Sequence, residues 1–206
     1  MIRVVKPIVF LLCLVPFFRL VWAIFTNDLV YLGANPVETI THNTGDWILR
    51  FVVITLCITP LRYLTGWNWL TRFRRMLGLF AFFYALPHLT IYVLTLKAFD
   101  WGAIATDIAE RPYITAGFLG FVMMIPLAIT STKKWIGRLG GKRWKALHRL
   151  IYLTAIAGVL HYYWSLKLDK TFATRYGIAV GLLLLIRIWM AARSRQPVTQ
   201  LSGGLR

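Results

Sequence analysis

The 206 residues are 58% hydrophobic and 15% charged, with 24 Lys and Arg against 7 Asp and Glu, a net charge of +17, and the mean hydropathy is +0.64. Soluble domains carry roughly a quarter charged residues, so a nucleic-acid-binding domain does not account for this basic charge; the Lys and Arg must fit between apolar runs long enough to span a bilayer. Cys13 and Cys57 both lie inside such runs, which predicts no disulfide framework and no zinc site, and the absence of Cys-x-x-Cys-His excludes covalently attached haem.

A hydrocarbon core of roughly 30 Å takes about 20 helical residues. Six segments approach that length: 7–26, 46–61, 76–97, 113–132, 149–167 and 174–192. The first follows Arg3 and Lys6 as a signal peptide would, but no small-x-small cleavage site comes after it, so it reads as a retained span. The second is short, and the connections leave no room for a soluble domain. The expectation is all-α: one six-helix transmembrane domain over 1–206.

Charge orients it. The N-terminus (Arg3, Lys6), the second connection (Arg62, Arg72, Arg74, Arg75), the fourth (Lys133, Lys134, Arg138, Lys142, Arg143, Lys145, Arg149) and the tail (Arg193, Arg195, Arg206) hold sixteen bases and no acid. The alternate connections hold Lys97, Arg111, Lys167, Lys170 and Arg175 with all seven acids. By the positive-inside rule both termini and the basic connections face the cytoplasm. The Gly-rich stretches 139–141 and 202–204 neither follow a strand nor open a helix, so they are turn and tail rather than dinucleotide fingerprints.

Three of the four histidines, His88, His148 and His161, fall on spans 3 and 5. An ionisable group inside a bilayer is costly and points to function, although an imidazole bonded to a neighbouring carbonyl is the plain alternative. His88 stands about 20 Å beyond Arg75 and His161 about 18 Å beyond Arg149, counted at 1.5 Å per residue. The two share one depth near the outer face, where two imidazoles can ligate one haem iron from opposite sides and make a six-coordinate electron-transfer site. His148 lies 13 residues before His161, which suits a second haem near the inner face, though on one ideal helix the two side chains point about 140° apart. Di-iron or hydrolytic metal chemistry would need clustered His and carboxylates, and no acid is expected inside a span. A serine elbow with a His and carboxylate partner is absent too.

The stretches RFRRMLGLFAFFYALPHLTIY (72–92), ERPYITAGF (110–118), IPLAITST (125–132) and LGGKRWKALHRLIYL with LHYYWSLK (139–167), preceded by GDWILRFVVITLCITPLR (45–62), resemble the MsrQ (YedZ) family. That family lies within the ferric-reductase-like transmembrane superfamily, alongside the membrane parts of NADPH oxidases. The resemblance implies an inner-membrane subunit binding haem b, and also associated with FMN. Such a subunit passes electrons from the quinone pool or a cytosolic flavin reductase to a periplasmic molybdenum-containing methionine sulfoxide reductase, MsrP, which repairs oxidised periplasmic proteins. It places His88 and His161 on the outer haem and His148 at an inner position. The oxidases carry a further His about 14 positions before the one matching His88, where this chain has Arg74. The inner position therefore implies another ligand, the flavin in place of a haem, or a single haem.

Arg74 and Arg75, within a basic cluster that includes Arg72, Lys142, Arg143 and Lys145, could hold the FMN phosphate, haem propionates or an acidic partner; the positive-inside bias alone also produces such a cluster. Arg19 and Arg50 could pair with outer propionates or reach headgroups, and Arg187 is expected to reach headgroups near the inner end of span 6. Trp and Tyr near span ends form an interfacial belt. His42 is expected at the surface, and Pro87 is expected to kink span 3. The rival classes are a transporter or proton conductor using the intramembrane histidines, which the lack of intramembrane acids disfavours, and a cofactor-free anchoring subunit.

Overall fold

The computed structural model describes residues 2–193, so Arg195, Arg206 and the stretch 202–204 lie outside the described residues. Among the described residues the fold is built from helices without strands: α1 (Ile2–Phe25), the single turn α2 (Leu29–Leu32), α3 (Pro36–Thr65), α4 (Thr71–Ile91), α5 (Trp101–Glu110), α6 (Pro112–Ile129), α7 (Lys133–Leu147), α8 (Leu150–Ser165) and α9 (Thr171–Arg193). A 3₁₀ turn (Asn68–Leu70) leads into α4, and a π-helical turn (Tyr92–Leu96) extends it.

Among the described residues, five helical segments are long and apolar enough to cross a membrane: Arg3–Phe25, Pro36–Thr65, Asn68–Leu96, Pro112–Ile129 and Thr171–Arg193. α8, at 16 residues, is shorter. By length and composition these helices make it a multi-pass membrane protein.

α3 packs most extensively on α4, and α6 on α8, while α9 rests on α3 and α8 and α1 on α4. Gly45 meets His88, and Gly117 meets His161. With the Arg74–Thr59 hydrogen bond and the approach of Gly120 to Ala157, these contacts make both central pairs antiparallel. One end of the bundle therefore gathers the connections rich in Lys and Arg, and the other gathers those that carry most of the acids. They are called the basic and the acidic end below.

Several ends and breaks have local causes. Asn35 caps α3 by accepting from Glu38 N–H, with Pro36 at the first helical position, and Gly66 ends it in the left-handed conformation (φ 71°). Pro60 brings no N–H, so the Leu56 carbonyl one turn earlier loses its helical donor; Arg187 Nη2 donates to it at 2.7 Å. Pro16 likewise takes the donor from the Leu12 carbonyl and disturbs the ladder of α1, and Tyr84 spans the next rung. Its hydroxyl accepts from Phe17 N–H at 3.0 Å and donates to the Cys13 carbonyl at 2.9 Å. It thereby stands between the Phe17 N–H and the Cys13 carbonyl, the pair one residue along from the bond that Pro16 removes. Tyr84 is fully buried, among Phe17, Trp47, Phe51 and Phe83.

The structure corrects four expectations. The connection 133–149 is the helix α7, broken internally at Gly140 (φ 73°, ψ 150°). His148 caps the C-terminus of α7 and is separated from α8 by a turn, so it does not share a helix with His161 and the 140° argument lapses. α3 begins ten residues earlier than the expected span, so Glu38 lies within it and Asp46, at the edge of that span, stands well inside the helix and pairs with Arg50 at 3.5 Å. Arg187 turns inward rather than toward headgroups, because the orphaned Leu56 carbonyl and the Tyr152 hydroxyl (2.9 Å) offer it acceptors. Cys13 and Cys57 are both free thiols, as expected.

Candidate functional site

Toward the acidic end, His88 from α4 and His161 from α8 stand with ring centres 6.0 Å apart and planes at 88°. The two helices that place them pack mainly on other partners, so the rings are fixed from the sides. His88 Nδ1 lies 3.0 Å from the Thr41 carbonyl and 3.2 Å from Thr44 Oγ1. His161 Nδ1 lies 2.7 Å from the Tyr113 carbonyl. A carbonyl oxygen only accepts, so each Nδ1 carries the proton and each Nε2 keeps its lone pair.

The surroundings are shaped to the rings. A Cβ on Gly45 would stand 3.1 Å from His88 Cε1, and one on Gly117 would stand 2.6 Å from His161 Nδ1. Glycine at both positions lets α3 and α6 approach the imidazoles closely.

This arrangement fits a metal held by two imidazoles. Metal–nitrogen bonds of about 2 Å plus the two ring radii put the ring centres of a linear pair roughly 6 Å apart, and Nδ1–H on a carbonyl is the usual way a protein fixes the tautomer and angle of a ligating His. Among the described residues no cluster of three or more His, Cys, Asp or Glu forms.

Toward the basic end a cavity of about 490 Å³ opens between α3, α4, α6, α7, α8 and α9. Arg74, Arg75, Lys145, His148, Arg149 and Arg187 line it together with Trp144 and Tyr152, and no Asp or Glu does. Arg74 Nη2 donates to Thr59 Oγ1 at 2.6 Å. The Nε of Arg74 and that of Arg187 are buried without a partner. Two half-buried guanidinium groups, each with an unspent buried Nε–H and no carboxylate in the cavity lining, suit an anionic group such as a phosphate or carboxylate.

His148 is held differently from the other two histidines. Thr130 donates its hydroxyl hydrogen to the Pro126 carbonyl at 2.6 Å, so the 3.0 Å contact between Thr130 Oγ1 and His148 Nε2 has the imidazole as donor. Nδ1 is the nitrogen left free, and Trp144 stacks on the ring at 4.0 Å. Burial pushes the His148 pKa below its usual value. Of the four histidines in the chain, this is the one that lines the cavity, so two imidazoles do not meet there.

Phe82, which lines the cavity, stacks on Phe121 of α6 with centres 5.8 Å apart. Six residues along α4 stands His88.

The sequence-predicted residues thus divide into two groups: His88 with His161, and Arg74 and Arg75 with His148. Arg19 lies over the Tyr31 ring at 4.8 Å and Arg50 over Trp47 at 4.6 Å. His42, on α3, is exposed. Thr41, Thr44, Gly45 and Gly117 were not singled out by sequence; Tyr113 was taken only as part of the interfacial belt, and Arg187 only as a residue reaching headgroups. A proline one turn after Leu56 was a usable signal for Arg187.

Residues 44–159 match the family model described as ferric reductase like transmembrane component. A protein-methionine-sulfoxide reductase heme-binding subunit MsrQ from Herminiimonas arsenicoxydans is 48% identical over 204 residues, covering 98% of this chain and 92% of the relative. The same-named subunit from Ralstonia nicotianae is 48% identical over 194 residues, 93% of this chain and 88% of the relative. That from Rhodospirillum rubrum is 46% identical over 196 residues, 94% and 92%. No solved structure matches the chain.

Proposed function

Because the chain belongs to the MsrQ family of heme-binding subunits of protein-methionine-sulfoxide reductase and carries the ferric-reductase-like transmembrane domain, we propose that His88 and His161 are the axial ligands of a haem b. The observation that carries this reading is the matched pair of Nδ1–H contacts to the Thr41 and Tyr113 carbonyls, which frees both Nε2 atoms. His88 and His161 would hold the iron through their free Nε2 atoms, and the haem would supply one-electron transfer there. Thr41, Thr44 and Tyr113 fix the ring orientations, and Gly45 and Gly117 leave room for them. Sulfoxide reduction belongs to the partner, a periplasmic molybdenum-containing MsrP, and this chain delivers the electrons.

The cavity at the basic end is the seat of FMN. Arg74 and Arg75 meet its phosphate, and His148 offers Nδ1 to its ring system. Support comes from the buried Nε atoms of Arg74 and Arg187 and from the single imidazole there, which leaves a second bis-His haem without its other ligand. The electron donor is the quinone pool or a cytosolic flavin reductase, and the basic end faces the cytoplasm of a bacterial inner membrane. α8 completes six spans. A proton-relay reading lacks comparable support, since each Nδ1–H in the histidine pair is spent on a backbone carbonyl.

The test is the absorption spectrum of detergent-purified protein, oxidised and dithionite-reduced, with haem and FMN counted per chain. A six-coordinate haem b spectrum that persists in His42→Ala and disappears in His88→Ala and in His161→Ala is expected, with FMN lost in Arg74→Gln. Folded wild-type protein without haem overturns the haem assignment, and FMN retained in full by Arg74→Gln overturns the flavin assignment.

A further inference from the structure

Asp107, on α5, is the buried charged side chain among the described residues. Burying a carboxylate is costly unless its oxygens are fully bonded, and here they are. Lys97 Nζ pairs with one oxygen, which also accepts the Tyr92 hydroxyl at 2.9 Å; Arg111 Nε reaches the other at 3.2 Å. The Lys97 hydrogen bond foremost, then the Tyr92 hydrogen bond and the positive charge of Arg111, outweigh burial and hold its carboxyl below the usual carboxylate range.

The partners come from two places that matter to the histidine pair. Tyr92 opens the π-helical turn that extends α4, and Lys97 directly follows that turn. Tyr92 stands one turn beyond His88, and its N–H donates to the His88 carbonyl. Arg111 immediately precedes α6 and stands two residues before Tyr113, whose carbonyl receives His161 Nδ1–H. The π-helical turn that starts at Tyr92 accompanies this grip, as such turns do where a helix is re-aimed.

The helices that carry the histidines, α4 and α8, are not a main packing pair. The relation of the rings therefore depends on how the start of α6 sits against the end of α4. Asp107 joins those two points. We infer that Asp107 is the positioning residue of the histidine pair, one carboxylate that locks the Tyr113 carbonyl, and with it His161, to the helix that presents His88. This rests on the reading of the pair as haem ligands.

The experiment uses the full chain in detergent and reads electron paramagnetic resonance, midpoint potential and haem content in wild type, Asp107→Ala, Asp107→Glu and Tyr92→Phe. Asp107→Ala is expected to convert most of the low-spin haem to high-spin, through loss of the His161 bond, and Asp107→Glu to restore part of it. Tyr92→Phe keeps both ion pairs and guards against a misfolded Asp107→Ala; it is expected to shift the low-spin g-values and the midpoint potential while haem content holds. In the haem-free chain, faster amide exchange over 111–117 is expected for Asp107→Ala. Wild-type g-values, potential and exchange in both Asp107→Ala and Tyr92→Phe overturn the inference while leaving the haem site intact. A wild type that binds no haem overturns the site reading and this inference with it.

Discussion

Gly117 lies so close beneath His161 that a Cβ there would sit 2.6 Å from Nδ1, inside any real contact distance, whereas the same addition at Gly45 would come no nearer to His88 than 3.1 Å. The difference orders two substitutions. Gly117→Ala must push the imidazole or the backbone of α6, and it also attacks the nitrogen bonded to the Tyr113 carbonyl. Gly45→Ala needs only a few tenths of an ångström of give. The expected outcome is near-complete loss of low-spin haem in Gly117→Ala and partial retention in Gly45→Ala, read from reduced-minus-oxidised spectra at equal protein. Equal retention in both would contradict the close approach of α6.

Tyr84 joins α1 to α4 through one hydroxyl that serves two backbone groups. In an apolar interior each orphaned polar group costs about 1–3 kcal/mol, so Tyr84→Phe is expected to destabilise the protein by roughly that amount or twice it. Pro16→Ala restores the missing N–H and lets Phe17 N–H return to the Cys13 carbonyl. The double variant Tyr84→Phe with Pro16→Ala should therefore recover much of the loss, a coupling that a double-mutant cycle of thermal unfolding in detergent measures. Strict additivity of the two changes would argue against the bridge.

The depth of the histidine pair was legible because helical rise turns residue counts into distances: Arg75 to His88 and Arg149 to His161 are nearly equal runs, and the rings do meet. What holds the rings was not legible. Thr41 and Tyr113 act through backbone carbonyls, which every residue has, so no side-chain pattern marks them. Gly45 and Gly117 carry the closer signal, since a glycine in an apolar helix marks a close approach, but not what approaches. His148 was misplaced because neither Gly nor Pro flags the turn at 148–149, and the apolar run after Arg149 appears continuous with it. Arg187 was misplaced because snorkelling considers the helix alone, while the acceptor that draws it inward is created by Pro60 on another helix.

That origin makes Arg187 separable into two roles. Arg187→Met leaves the Leu56 carbonyl without a donor and is expected to cost about 1–3 kcal/mol of stability. Pro60→Ala in the same chain returns a helical N–H to Leu56 and should recover that loss in thermal unfolding. Any loss of FMN on Arg187→Met should persist in the double variant, because Pro60→Ala does not replace the guanidinium in the cavity. Recovery of FMN together with stability would make Arg187 purely a partner of the backbone.

His148 brings a pH dependence whose sign follows from its surroundings. Burial lowers its pKa in the folded protein, and the cavity it lines adds Arg74, Arg75, Lys145, Arg149 and Arg187 with no acid to balance a further charge. The folded state thus binds this proton less readily than the unfolded state. Stability is full above the unfolded value near 6.5 and falls as pH drops through that value toward the lowered folded one. His148→Gln keeps an N–H for the Thr130 hydroxyl and cannot titrate. Thermal unfolding between about pH 5 and 7.5 is expected to show a lower midpoint at the acid end for wild type, with that slope reduced in His148→Gln. An unchanged slope in the variant would assign the acid sensitivity to another group.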